Sequence, residues 1–115
     1  MARFEIVIAL ALTACRADVE GWWIGDVEGT KATLSLEQAG GVITGEVCMA
    51  HACGDIDDGA LEEDSLLLTF GCSDCALPRT TLDLFLVEGA LEGDAYVWDC
   101  SCRRQALLHR CRGPC

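Results

Sequence analysis

From residue 22 onward, apolar side chains recur at alternate positions, and turn residues interrupt them at short intervals. Trp22 to Glu28 opens the series, with Trp23, Gly25 and Val27 on one face. Thr30 to Gln38 sets Ala32, Leu34 and Leu36 against Lys31, Thr33, Ser35 and Glu37. A period of two is the mark of a strand with one buried face, because successive side chains of extended backbone point to opposite sides. Gly40-Gly41 reads as a hairpin turn, since glycine tolerates positive φ. Val42 to Cys48 follows, then a weaker strand near Gly54 to Ala60 and an acidic turn at Glu62-Glu63-Asp64. Ser65 to Cys72 aligns Leu66, Leu68, Phe70 and Cys72. After a loop over Ser73 to Pro78, Thr80 to Val87 points Leu82, Leu84 and Leu86 inward. Glu88-Gly89 is another turn. Ala90 to Cys100, carrying Tyr96 and Trp98, and Gln105 to Cys111 complete the pattern. About eight strands without an amphipathic helix predict an all-β domain, an antiparallel up-and-down barrel or a sandwich. The barrel is preferred: sequential hairpins need no crossover, and closure removes exposed edges.

The start of the chain follows a different rule. Arg3 precedes an apolar run, Ile6 to Leu12, and the small residues Thr13-Ala14 precede Cys15. A membrane-spanning helix needs about 20 apolar residues, so this run reads as an export signal to be removed. Leu12-Thr13-Ala14-Cys15 resembles the lipobox of bacterial lipoproteins. The resemblance implies cleavage after residue 14, acylation of Cys15, and a tether over residues 15–20 ahead of a domain at 21–115. Arg16 stands where an Asp often retains such proteins at the inner membrane, which favours the outer membrane.

Cysteine counting fits export. The chain has nine cysteines. Setting Cys15 aside as lipid acceptor leaves an even set: Cys48, Cys53, Cys72, Cys75, Cys100, Cys102, Cys111 and Cys115. In a small exported domain such a set reads as disulfides, in any of 105 connectivities. A hairpin turning at Glu62-Glu63 would bring Cys53 opposite Cys72, the pairing offered here. Cys100-Ser101-Cys102, on one strand, would set both sulfurs beside Trp98 and Tyr96 as core filling.

Gly21-Trp22-Trp23 resembles the Gly-x-Trp of the first strand in lipocalin- and avidin-like barrels, the calycin group. Leu34 to Gln38, Gly40-Gly41 and Ile43-Thr44-Gly45 are similar to the opening of many small bacterial lipoproteins. The calycin resemblance implies a basic residue of the last strand packed over the Trp: Arg110 over Trp23, with Arg112 as second choice. It implies the fold and no ligand, because Gly25-Asp26 stands where avidins carry polar ligand contacts.

Charge and motifs narrow the function. The formal charge is −11, and loss of Arg3 and Glu5 with the signal leaves it unchanged. Such a surface repels nucleic acid and anionic headgroups and suits a cationic protein partner. Cys72-Ser73-Asp74-Cys75 has redox-enzyme spacing but follows a strand, so it reads as structural. Met49, His51, Cys48 and Cys53 are soft ligands, yet an oxidising compartment would spend the sulfurs as cross-links. Asp55, Asp57 and Asp58 miss the calcium-loop spacing and read as a solvated acidic stretch. No nucleophile–base constellation or phosphate loop occurs, and no cofactor or metal is expected. The expectation is a lipid-anchored, extracytoplasmic binding or structural module and not an enzyme. The alternatives are an inhibitor of a basic secreted hydrolase and a carrier of a small ligand or metal ion.

Overall fold

A computed structural model describes residues 17–27 and 29–112. Cys15, Cys115 and the proposed signal lie outside these. Eight strands follow one another: β1 (Gly21–Val27), β2 (Thr30–Ala39), β3 (Val42–Met49), β4 (Ala52–Glu62), β5 (Ser65–Phe70), β6 (Thr80–Val87), β7 (Ala90–Val97) and β8 (Cys102–Arg110). Each pairs antiparallel with the next, and β8 pairs back onto β1, closing the barrel. Glu88 and Gly89, at φ 51° and 81°, turn the chain between β6 and β7 as the primed hairpin geometry requires.

The alternation decides what faces in. Trp23, Val27, Leu34, Leu36, Ile43, Val47, Leu66, Leu68, Phe70, Leu82, Leu84, Leu91 and Leu108 are buried in one core. β4 reads weakly in sequence because its phase slips. The β4–β5 register shifts between Ile56 and Asp58, so Ile56 and Leu61 both point inward while Asp57 and Asp58 are both exposed.

Two glycines make the wall closable. Gly21 sits at φ +123°, where a Cβ would lie 3.4 Å from the Arg110 guanidinium. Gly25 lies where β1 meets β8; a Cβ there would fall 1.9 Å from the Leu107 carbonyl oxygen.

The barrel has two unlike ends. At the entry end, Val19 is fully buried and accepts a hydrogen bond from Trp23 Nε1 through its carbonyl, at 2.9 Å. Gln38 holds the same segment: its Oε1 accepts from the Val19 amide at 2.9 Å, and its Nε2 donates to the Ala17 carbonyl at 3.0 Å. Residues 17–20, read in sequence as tether, are thus fastened to the barrel. At the opposite end, Leu77 of the β5–β6 loop is buried and plugs the mouth. Its tip reaches Gly54, where a Cβ would lie 3.1 Å from Leu77 Cδ2.

Three disulfides join Cys48–Cys53, Cys72–Cys75 and Cys100–Cys102. All three lie at the end that Leu77 plugs, one in each of the turns β3–β4, β5–β6 and β7–β8. Cys111, at the entry end, is also disulfide-bonded. The expected Cys53–Cys72 bridge is therefore overturned. Cys53 is the direct cross-strand partner of Cys48, with Cα atoms 4.0 Å apart. The chain leaves the sheet at Gly71, φ 82°, which turns Cys72 toward its own loop. The expected core role of Cys100 and Cys102 fails too. β7 stops at Val97, Ser101 takes φ 54°, and Trp98 and Cys100 are exposed in the turn.

Candidate functional site

Among the described residues the barrel interior is apolar but for one threonine. It is filled by the apolar core and closed by Val19 and Leu77. Thr80, the buried polar residue among those described, donates its hydroxyl to the Pro78 carbonyl at 2.8 Å. Among the described residues no buried side-chain nitrogen or oxygen lacks a partner. Small-ligand sites bring a few polar groups together in a cavity; among the described residues Thr80 is the one buried polar side chain, and its hydroxyl is already bonded.

The metal candidates are scattered or spent. Glu46, Cys48 and Cys53 bring ligand atoms within 4.8 Å of one another, but both sulfurs belong to one disulfide and offer no thiolate. His51 is exposed in the β3–β4 turn beyond Met49. Asp55, Asp57 and Asp58 lie along extended backbone of β4 and are exposed, so they do not wrap around a point. Asp57 instead approaches Arg79 at 4.0 Å.

Trp23 and Arg110 lie at the entry end. The guanidinium carbon stands 4.4 Å from the centre of the Trp23 rings. Its two terminal nitrogens donate to the Glu20 and Asp18 carbonyls, each at 2.6 Å. Arg112 is exposed beyond the last strand. This pair joins the last strand to the first and to the segment that precedes it.

What remains is the outer wall, and it is divided. On β2 and β3 it carries Lys31, Thr33, Ser35, Glu37, Thr44 and Glu46. On β5 to β8 it carries exposed Leu67, Phe85, Val87, Tyr96 and Leu107. The register lines up Asp26, Leu107, Glu92 and Phe85 across β1, β8, β7 and β6. The next row places Asp83 directly opposite Asp94. These rows border a groove of about 700 Å³ whose lining includes Phe85, Val87, Leu107, Asp26, Glu92 and Asp94. Near the stapled end, Trp98 is half exposed, donates to Thr81 Oγ1 at 2.9 Å, and lies beneath Arg79, 5.3 Å from its ring centre.

Sequence reasoning missed this face. Its signal was present: in Leu-Phe-Leu-Val over 84–87 and Leu-Leu over 107–108, apolar residues occupy the outward as well as the inward phase. No protein-family model, curated protein or solved structure matches the chain.

Proposed function

We propose that this is an extracytoplasmic binding module, held at a bacterial envelope by a lipid on Cys15, that engages a protein partner with the outside of its barrel. The observation that carries the reading is the contrast between an apolar interior, whose one buried polar side chain among the described residues is already bonded, and a grooved outer wall bearing exposed apolar side chains. Exposed large apolar side chains gathered on one wall mark an interaction site. Three turn disulfides support an oxidising compartment.

The clamped entry segment adds geometry. Ala17 is fixed by Gln38, and only Arg16 separates it from Cys15. Two residues of extended chain reach about 7 Å. An acylated Cys15 would therefore stand the barrel on the bilayer by its entry end, with the stapled end outward and the side wall accessible. Inhibition of a basic secreted hydrolase is the second reading, favoured by the acids along the groove. Native mass spectrometry of the purified protein tests the exterior reading. The expected mass is that of the polypeptide and its modifications; a stoichiometric small molecule released on unfolding would restore the carrier.

A further inference from the structure

The outer groove has a chemical preference. It sets apolar and acidic columns side by side: Phe85 is 51% exposed, Val87 41% and Leu107 44%, with Glu92 between Phe85 and Leu107 in the cross-strand row. Its other lining side chains include the acids Asp26, Glu92 and Asp94, and among the described residues no basic one lines it. Asp83 faces Asp94 across the neighbouring row, a like-charge cross-strand pair that disfavours the free sheet. Arg103 stands 4.0 Å from Asp94 and is itself 75% exposed. A cation seated over the acids of β7 would relieve that repulsion while its neighbours cover Phe85 and Val87.

We propose that this groove docks an extended basic segment of a partner protein, one in which lysine or arginine alternates with apolar side chains. The proposal rests on the exterior reading above and specifies its partner. Alternation suits the occupant because an extended chain puts its side chains on opposite faces at successive positions. Set edge-on between β6 and β7, such a segment puts its apolar set over Phe85 and Val87 and its basic set over Glu92 and Asp94. Charge selects against other occupants. A second copy would bring the same acids and a formal charge of −11, and anionic headgroups would be repelled in the same way.

The test uses the folded protein with its disulfides intact and a synthetic probe, an acetylated and amidated hexapeptide alternating lysine and leucine. Binding is followed by fluorescence anisotropy and mapped by amide chemical shifts. Saturable 1:1 binding is expected, with shifts centred on residues 85–94. A Glu92→Gln/Asp94→Asn double variant and Phe85→Ser should each weaken binding about tenfold. Raising salt from 50 to 200 mM should weaken it several-fold. All of these residues are at least partly exposed, so the variants keep the fold, which the amide spectrum verifies.

Each alternative outcome is distinct. No saturable binding, or binding unchanged in both variants, overturns the groove. Shifts confined to residues 71–79 and 98–101 overturn the groove and leave the exterior reading intact. Shifts at inward residues such as Leu34 and Leu68 overturn the exterior reading itself. Self-association of peptide-free protein through the same residues assigns the groove to a second copy and also overturns the proposal.

Discussion

Arg110 lies over Trp23, its guanidinium carbon 4.4 Å from the ring centre, while its nitrogens donate to the carbonyls of Asp18 and Glu20. One side chain of the last strand thus ties the first strand to the segment before it. The stacking is worth about 0.5–2 kcal/mol, and a hydrogen bond from a charged donor about 1.5–3 when both groups are shielded from water. The guanidinium is partly exposed here, so the lower ends apply. Arg110→Ala is expected to lower the urea unfolding free energy by about 2 kcal/mol. Arg110→Lys should recover less than half, because an ammonium cannot stack flat and fork to two carbonyls. Equal stability of the two variants would show that charge alone matters.

Gly25 and Gly29 separate close approach from simple backbone freedom. At Gly25 a methyl group would strike the Leu107 carbonyl at 1.9 Å; at Gly29, φ +85°, it would meet nothing within 4 Å. Gly25→Ala should cost more than about 2 kcal/mol, and Gly29→Ala about 1 kcal/mol from its dihedral alone. Thermal melts of both variants check the order.

The three disulfides at the plugged end span separations of only 5, 3 and 2 residues. Closing such short loops is worth about 1.5–2 kcal/mol each in the chain-entropy account. Their effect falls on the turns, while the barrel is held by its closed ladder and core. Replacing Cys72 and Cys75 by serine should speed amide exchange across 71–79 and leave β1 to β3 protected. Global loss of protection would place the staple among the determinants of the fold.

Inward and outward substitutions should differ sharply. Leu77→Ala removes a buried plug and is expected to cost about 2–3 kcal/mol. Phe85→Ser, on the exposed groove floor, should change stability by less than about 0.5 kcal/mol. Denaturant midpoints for the two proteins make the comparison.

The inward face was legible because period-two burial leaves a direct trace. Leu34, Leu68 and Leu84 could be assigned from their neighbours alone, and Gly40-Gly41 and Glu88-Gly89 announced their turns by composition. The bridges were not legible, because pairing depends on register. The β4–β5 hairpin turns at Glu63-Asp64, one residue later than read, pairing Glu62 with Ser65. A one-residue difference of that kind changes every cross-strand partner. Val19 and Leu77 were missed as plugs because a single apolar residue in a loop carries no period. The outer groove was missed for the related reason that alternation identifies the buried phase and says little about apolar residues in the other.

The proposed export to an oxidising compartment is tested most directly by mass spectrometry of the protein extracted from its own host's membranes. Intact mass and an unreduced peptide map should show a chain beginning at Cys15 with acyl mass attached, and cross-linked peptides joining Cys48 to Cys53, Cys72 to Cys75 and Cys100 to Cys102. A chain recovered from the cytosol with its leader retained, no lipid and free thiols at those positions would contradict it.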